Sequence, residues 1–176
     1  ILPRRVVIAQ DAFELLPTNV FDALQPSVQR VCSLIGQQSS ARLAETNLSE
    51  WRDQQGVLQS REAWETVRNW IDETNPRFSF EVSERYVLAK NISDSDIESS
   101  RKIKSQVLNR MNDLLSDKAV ICLPTTIGPA PPIGQKLSDR TDLRLKTSQL
   151  TCIAGTTGGP QINLPLAHVD GMPVGI

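Results

Sequence analysis

The side chains that most often perform catalysis are few in this sequence and lie far apart. Three cysteines, Cys32, Cys122 and Cys152, each fall in an apolar segment, and His168 is the single histidine. A nucleophilic cysteine or serine needs an adjacent base, and a metal ion needs closely spaced ligands. The spacing therefore predicts buried, reduced thiols of a cytoplasmic protein, an exposed His168 before a turn, and neither metal nor cofactor.

Two other clusters of polar residues and glycines have structural explanations. Asp94, Asp96 and Glu98 follow Ser93, and a serine hydroxyl and acidic side chains both favour the N-terminus of a helix. The stretch "GTTGGP" at 155–160 resembles a phosphate-binding loop, but it precedes a strand pattern and lacks the Gly-Lys-Ser/Thr signature. We interpret the acidic cluster as a helix cap and the glycines as a tight turn with positive φ. No G-x-S-x-G elbow occurs either.

The composition limits the classes of binding partner that we expect for the chain. Its 19 Lys and Arg residues and 20 Asp and Glu residues leave a net charge of −1, which provides no basic field for nucleic acid. No apolar run approaches the ~20 residues that span a membrane. We therefore expect neither nucleic acid nor a membrane as a partner. Because the chain begins at Ile1 and ends at Ile176 inside an apolar stretch, we also expect it to be part of a longer polypeptide.

Hydrophobic periodicity predicts strands that alternate with helices. Short apolar runs predict buried strands at 6–8 and 119–123, and the second is expected at the centre of a sheet. Further strands are predicted at 40–48 and on both sides of Asp170-Gly171. Helices are predicted at 20–35, 49–73, 94–116 and 143–155, with a turn and a short helix within 76–93.

Residues that cap or break helices refine these boundaries. Asn19 is the predicted N-cap of the first helix, and Gly36 is predicted to end it. Pro26 predicts a kink or a late start in the same helix. Gly56 predicts a break in the second helix, and Gly155 is the predicted end of the last one.

The alternation of strands and helices indicates an α/β fold, as part of a mixed β-sheet covered by helices on both faces. Ligands bind such sheets beyond the carboxyl ends of the strands. The loop "PTTIGPAPPIG" at 124–134 follows the strand at 119–123 and is therefore a predicted ligand-facing segment. The loop at 155–160 is a second candidate.

Four segments, in this order, resemble the C-terminal region of amidase signature hydrolases. They are "RRVVIAQDAF" (4–13), "QSREAWETVRNWIDETNPRFSFEVSERY" (59–86), "AVICLPTTIGPAPPIG" (119–134) and "LTCIAGTTGGPQINLPLAHVDGMPVGI" (150–176). The third is similar to the family's apolar strand running into a Leu-Pro-Thr loop, and the fourth to its D/G-x-P-V-G hairpin. The first two are similar to segments of the branch that includes indole-3-acetamide hydrolases.

This resemblance implies an enzyme that hydrolyses small-molecule carboxylic amides to acid and ammonia through an acyl-serine intermediate. The family's nucleophilic serine, second serine and lysine lie upstream of these four segments, so no catalytic residue is assigned in this chain. Residues 1–176 are then the C-terminal part of a single amidase domain. That part is expected to be inactive alone, with the remainder of the same polypeptide as its partner.

By similarity, the loop after the strand at 119–123 and the last predicted helix face the pocket for the acyl group. The candidate substrate-binding residues are Thr125, Thr126, Ile127, Thr151 and Ala154, with Trp64 as a further candidate. Simple helix packing is the alternative for Trp64, Thr151 and Ala154.

Two other functions stay open on the sequence alone. One is the A-type subunit of a tRNA-dependent amidotransferase, which would act on misacylated tRNA together with partner subunits. The other is a non-catalytic binding or scaffold domain of the same fold. A homodimer also stays open as an assembly.

Overall fold

The computed structural model describes residues 2–136 and 138–176, in which helices and strands alternate along the chain. The strands are β1 Arg5–Ala9, β2 Gln37–Ala41, β3 Ala119–Cys122, β4 Ala167–Val169 and β5 Met172–Val174. The helices are α1 Gln10–Phe13, α2 Thr18–Ile35, α3 Leu48–Thr74, α4 Phe80–Lys90, α5 Asp94–Leu114 and α6 Thr141–Thr157. Short 3₁₀ turns precede β3 at Ser116–Lys118 and α6 at Ser138–Arg140. Among the described residues, no helix combines the length and apolar character that crossing a membrane requires.

The first three strands form a parallel sheet in the order β2-β1-β3. Arg5 pairs with Gln37 on one side and with Ala119 on the other. The prediction that residues 119–123 form the central strand is therefore wrong within the described sheet, where β1 is central and β3 lies at an edge. An apolar run indicates that both faces of a strand are covered, but it does not indicate whether the strand lies at the centre or at the edge of its sheet.

Helices cover both faces of this sheet, as the α/β prediction requires. Side chains alternate along β1, so that Val6 and Val7 are both fully buried but belong to different hydrophobic clusters. Val7 packs with residues of α3, α5 and α6, whereas Val6 packs with α2 and the β4–β5 hairpin. Burial of each such side chain contributes about 1.5–3 kcal/mol.

A buried carboxylate fixes the chain where β2 ends. Asp11 is 5% exposed, and its two carboxylate oxygens accept hydrogen bonds from the backbone N–H groups of Leu43 and Ala44, each at 2.9 Å. These bonds turn the chain away from the sheet after Ala41. The predicted strand at 40–48 is therefore present but displaced toward the N-terminus, at Gln37–Ala41.

The boundaries of α2 are set by proline and glycine. The residue preceding Thr18 is Pro17, whose φ of −59° already suits the start of a helix, so Asn19 lies inside the helix and the N-cap prediction is wrong. Pro26 is accommodated within the continuous helix. Gly36 ends it as predicted, with φ of +96° and its N–H donating to Cys32 O at 2.8 Å.

Helix α3 extends one residue beyond the predicted stretch at each end, and the predicted break at Gly56 is wrong because the helix continues through this residue. A glycine inside a helix costs about 1 kcal/mol relative to alanine. Burial of Trp51 and Leu58 on either side of Gly56 offsets that cost. The helix ends at Asn75, which adopts the left-handed conformation with φ of 42°.

The other local predictions are mostly confirmed. Helix α5 begins with a capping box between Ser93 and Asp96. The prediction that Gly155 ends the last helix is wrong, because α6 passes through Gly155 to Thr157 and is capped by Gly158, with φ of +70°. Strands β4 and β5 form an antiparallel pair around Asp170 and Gly171, which both have positive φ.

The cysteine and histidine predictions can also be compared with the structure. Cys32 and Cys122 are buried, Cys152 is half-buried, and all three are free thiols. His168 is exposed, as predicted.

Candidate functional site

A cleft of about 540 Å³ opens where three segments meet. One wall is the loop that follows β3, the second is the first half of α6, and the third combines residues 163–165 with the end of β5. The loop lies beyond the carboxyl end of a parallel strand, which is where the α/β fold predicts a ligand site. The cleft is therefore the candidate functional site.

Hydrogen bonds attach the loop wall to the hairpin wall. The Thr125 N–H donates to Gly175 O at 3.0 Å, and the Thr125 hydroxyl donates to Asn163 Oδ1 at 2.7 Å. The Thr126 hydroxyl donates to Gly128 O at 2.7 Å. Both threonine hydroxyls are thus engaged within the protein, and they shape the loop.

The third wall is held by a reciprocal backbone pair. Leu164 N–H donates to Ile176 O at 2.8 Å, and Ile176 N–H donates to Leu164 O at 3.2 Å. The same Leu164 carbonyl also accepts from Leu166 N–H at 2.9 Å. This segment therefore has a fixed position beside β5, although its side chains are largely exposed.

Helix α6 contributes a continuous face to the cleft. Positions separated by three or four residues lie on one side of a helix, and the lining residues of α6 and of the 3₁₀ turn before it follow that spacing. They are Arg140, Leu143, Arg144, Thr147 and Ser148. Leu143 provides apolar surface, and the two arginines provide cations one helical turn apart.

The charge of the cleft is positive. None of its described lining residues is acidic, and the nearby carboxylate of Asp142 is paired with Lys146 Nζ at 3.0 Å. Arg140 and Arg144 form no ion pair or side-chain hydrogen bond with any described residue. The site can therefore attract an anion, with apolar contacts available from the proline-rich loop.

The thiols of Cys122 in β3, which is buried, and Cys152 in α6, which is half-buried, lack the properties of nucleophiles. Burial raises the pKa of Cys122 to about 11, and burial also raises the pKa of Cys152 to about 11. A thiol with such a pKa is almost entirely protonated at neutral pH, and the thiolate is the reactive form. Within residues 2–136 and 138–176, no group of three or more His, Cys, Asp or Glu side chains is arranged to hold a metal ion.

The predicted substrate-binding residues occupy different environments. Thr125 and Thr126 line the cleft. Ile127 is buried in the core cluster shared with α3, α5 and α6. Thr151 is exposed one turn beyond the lining part of α6, and Ala154 is half-buried further along. A contact between any of them and a substrate stays a prediction.

Trp64 lies elsewhere, between α3 and α4. Its ring packs near Tyr86, with the centroids 6.4 Å apart, and Lys90 Nζ lies 5.7 Å from its centroid. The cleft takes no described lining residue from α3 or α4. The structure thus does not bring Trp64 together with Thr125 and Thr126, and its role in binding stays a prediction.

Sequence reasoning did not single out Arg140, Arg144 or Asn163. The helical spacing of like charges gave no signal for the arginines, since Arg140 lies before the helix predicted at 143–155 and before α6 itself. Asn163 carries no such signal, because its importance comes from its hydrogen bond to Thr125 across the fold.

The chain is similar in sequence and in structure to known proteins. Amidase 1 of Arabidopsis thaliana is 32% identical over 107 residues, which are 61% of this chain and 25% of that protein. The translocon at the outer membrane of chloroplasts 64 of Pisum sativum is 25% identical over 199 aligned positions, covering 99% of this chain and 34% of that protein. Among solved structures, a crystal structure of an amidase superposes with a TM-score of 0.80 at 22% identity, covering 99% of this chain and 41% of that one.

The chain thus spans between a quarter and about two-fifths of the length of these relatives. The solved structure supports the α/β fold with helices on both faces of the sheet. A family model described as Amidase matches residues 3–176, which is almost the whole sequence. The chain belongs to the amidase family.

Proposed function

We propose that this chain is part of an amide hydrolase and that its cleft holds the substrate's acyl group. The observation that supports this most directly is the cleft itself. It lies beyond the carboxyl end of β3, in a chain whose family match covers residues 3–176. In this proposal the catalytic serines and lysine belong to another part of the same polypeptide.

Amide hydrolysis through an acyl-serine needs a nucleophile, a base and donors for the developing oxyanion. The described cleft offers a different contribution, which is to hold the acyl group in one orientation. Leu143, Pro129 and Val174 line it with apolar surface. Correct positioning alone contributes a large part of an enzymatic rate, since a misplacement of about 1 Å costs on the order of 10²-fold.

The substrates we propose are aryl-acetamides, because two segments resemble the indole-3-acetamide hydrolase branch. The reaction releases ammonia and leaves the aryl-acetic acid. An apolar cleft of about 540 Å³ is compatible with an aromatic acyl group.

The test is ammonia release from aryl-acetamides by the full-length protein that contains this chain. In a matched pair of variants, T147W places a large side chain in the cleft, whereas L145W places it on an exposed position of α6 outside the lining. We expect T147W to lower kcat/KM at least about tenfold and L145W to change it by less than about twofold. Equal effects of the two variants would contradict an acyl-binding cleft.

Residues 1–176 expressed alone should release no ammonia. Turnover by this piece would refute the assignment of catalytic groups to another part of the polypeptide. A full-length protein that is inert toward every simple amide would refute the proposed activity.

A non-catalytic scaffold is the second candidate. Its support is that a relative named for a chloroplast translocon, and not for hydrolysis, aligns with 99% of this chain. An inert full-length protein that binds other proteins would support this alternative. The amidotransferase alternative would instead require activity that depends on tRNA and partner subunits.

A further inference from the structure

We propose that the cleft selects amides that carry a carboxylate, and that Arg140 and Arg144 bind this carboxylate. The inference rests on the proposed amide hydrolysis and adds the substrate class. It assigns Arg140 and Arg144 as specificity-determining residues. The scissile amide would lie toward the catalytic groups, with the carboxylate at the α6 wall.

The first argument is that two cations, Arg144 on α6 and Arg140 at the end of the preceding 3₁₀ turn, line the same cleft with no acidic partner among the described residues. Arg140 and Arg144 lie one turn apart and both line the cleft. Like charges at this spacing are unfavourable, and an anion bound between them would relieve the repulsion. Asp142, between them in sequence, is paired with Lys146 at 3.0 Å.

The second argument is that nothing else in the described cleft competes for the arginines. No described lining residue is acidic. The hydroxyl of Ser148, which also lines the cleft, donates to Arg144 O at 2.7 Å and thus points back along its own helix. Among the described residues, therefore, no side chain holds either guanidinium group in an ion pair or a hydrogen bond.

The third argument concerns which anion fits. A guanidinium group matches a carboxylate through two parallel N–H···O bonds. Phosphate sites in proteins commonly add several backbone N–H donors, but the loop wall contains Pro129 and Pro131, which have no N–H. A carboxylate attached to an apolar body suits two arginines beside proline and leucine surfaces better than a phosphate does.

The experiment compares three amides of similar size with the full-length protein. They are 4-carboxyphenylacetamide, the neutral 4-methylphenylacetamide, and 4-phosphonophenylacetamide. The variants are R140Q, R144Q and the control K104Q, which removes a cation from α5, away from the cleft lining. Unfolding midpoints of all variants establish that they are folded, and calorimetric titration with the same amides measures binding apart from turnover.

We expect the unmodified protein to prefer the carboxylated amide over the neutral one by about tenfold in kcat/KM. R140Q and R144Q should each reduce this ratio at least about fivefold, whereas K104Q should leave it unchanged. A preference that survives both arginine variants, or equal turnover of the carboxylated and neutral amides, would overturn the inference while the proposed hydrolysis stands. A preference for the phosphonate would also overturn it.

The failure of the proposed function gives a different result. If no amide is hydrolysed but R144Q weakens binding of the carboxylated amide, the hydrolysis is refuted and the carboxylate site is supported. If the carboxylated amide is neither hydrolysed nor bound, both proposals are refuted.

Discussion

The substitution of Gly175 by alanine should distort the cleft, because the backbone around this residue leaves no room for a methyl group. A Cβ atom at this position would meet Asn163 Oδ1 and would lie 2.8 Å from Leu164 O and 3.2 Å from Leu164 C. Contacts below 3.0 Å are essentially never formed by real Cβ atoms. Both the side chain of Asn163 and the backbone around Leu164 must therefore move.

Neither movement is free. The Leu164 carbonyl accepts hydrogen bonds from Leu166 N–H and Ile176 N–H, so the backbone can retreat only by weakening them. Overpacking of this kind costs about 1–3 kcal/mol. Rotation of Asn163 loses the 2.7 Å hydrogen bond from Thr125, which adds about 0.5–1.5 kcal/mol. We expect G175A to lower the free energy of unfolding by about 1.5–4.5 kcal/mol.

Gly128 provides a matched control, because it also lines the cleft. A Cβ there would meet only Leu143 Cδ1, at an ordinary contact distance of 3.8 Å. G128A should therefore leave the unfolding free energy within about 1 kcal/mol of the unmodified protein, with stabilisation as the expected sign.

Urea unfolding followed by circular dichroism measures both variants, and kcat/KM toward an aryl-acetamide measures the cleft. G175A should reduce kcat/KM by up to about 10²-fold, since a shift near 1 Å has effects of that size. If G175A and G128A unfold at the same urea concentration, the steric reasoning is refuted. If G175A is destabilised but fully active, the cleft is not the substrate site.

Three further predictions concern the core, the thiols and the helix cap. D11A should lower the free energy of unfolding by about 2–6 kcal/mol, because it leaves two buried N–H groups without an acceptor. Urea unfolding measures this free energy, and a value within about 0.5 kcal/mol of that of the unmodified protein, close to the noise of such data, would contradict the prediction. Burial raises the pKa values of Cys122 and Cys152 to about 11. At mildly alkaline pH, both thiols should therefore react with iodoacetamide about 10²-fold more slowly in the folded than in the unfolded protein. Mass spectrometry measures the two rates, and equal rates would refute burial of these thiols. Hydrogen bonds from the Ser93 hydroxyl and N–H lower the pKa of Asp96 below the ordinary 3.8. A group whose pKa is lowered in the folded state stabilises the protein at pH values above its ordinary pKa and loses this contribution as the pH falls through its folded-state pKa. D96N should therefore be less stable than the unmodified protein at neutral pH and equally stable in strong acid. A difference in unfolding midpoint that does not change with pH would exclude this linkage.

Local signals in the sequence predicted the elements whose determinants are themselves local. Val6 and its β-branched neighbours gave β1, Gly36 gave the end of α2, and Ser93 with Asp96 gave the start of α5. In each case the residues that decide the structure are adjacent in the chain or one turn apart. The Asp170-Gly171 turn is another example, since its positive φ values match the residue types.

Tertiary contacts decided what the sequence pattern could not predict. The end of β2 depends on Asp11, about thirty positions earlier in the chain. Helix α3 continues through Gly56 because burial on both sides outweighs an intrinsic preference. The order of strands in the sheet depends on pairing between distant segments, which no local pattern encodes.

The candidate site was predicted in part for the same reason. The position of the loop at the carboxyl end of β3 follows from general properties of α/β sheets, so Thr125 and Thr126 were found. The contribution of Arg144 depends on which face of α6 turns toward the loop. The separation of Trp64 from the cleft depends on the packing of α4 against α3.

The central place of β1 in the sheet has a consequence for biosynthesis. Arg5 pairs with Ala119, more than one hundred residues further along, so a ribosome working at roughly 5–20 residues per second leaves on the order of 5–25 s between their syntheses. During that interval β1 has one strand edge without its partner, while the helices α3 to α5 can form from local contacts. Because closing a long chain segment slows folding, the nascent chain exposes an apolar strand for seconds, and a chaperone that binds extended apolar segments would recognise it then.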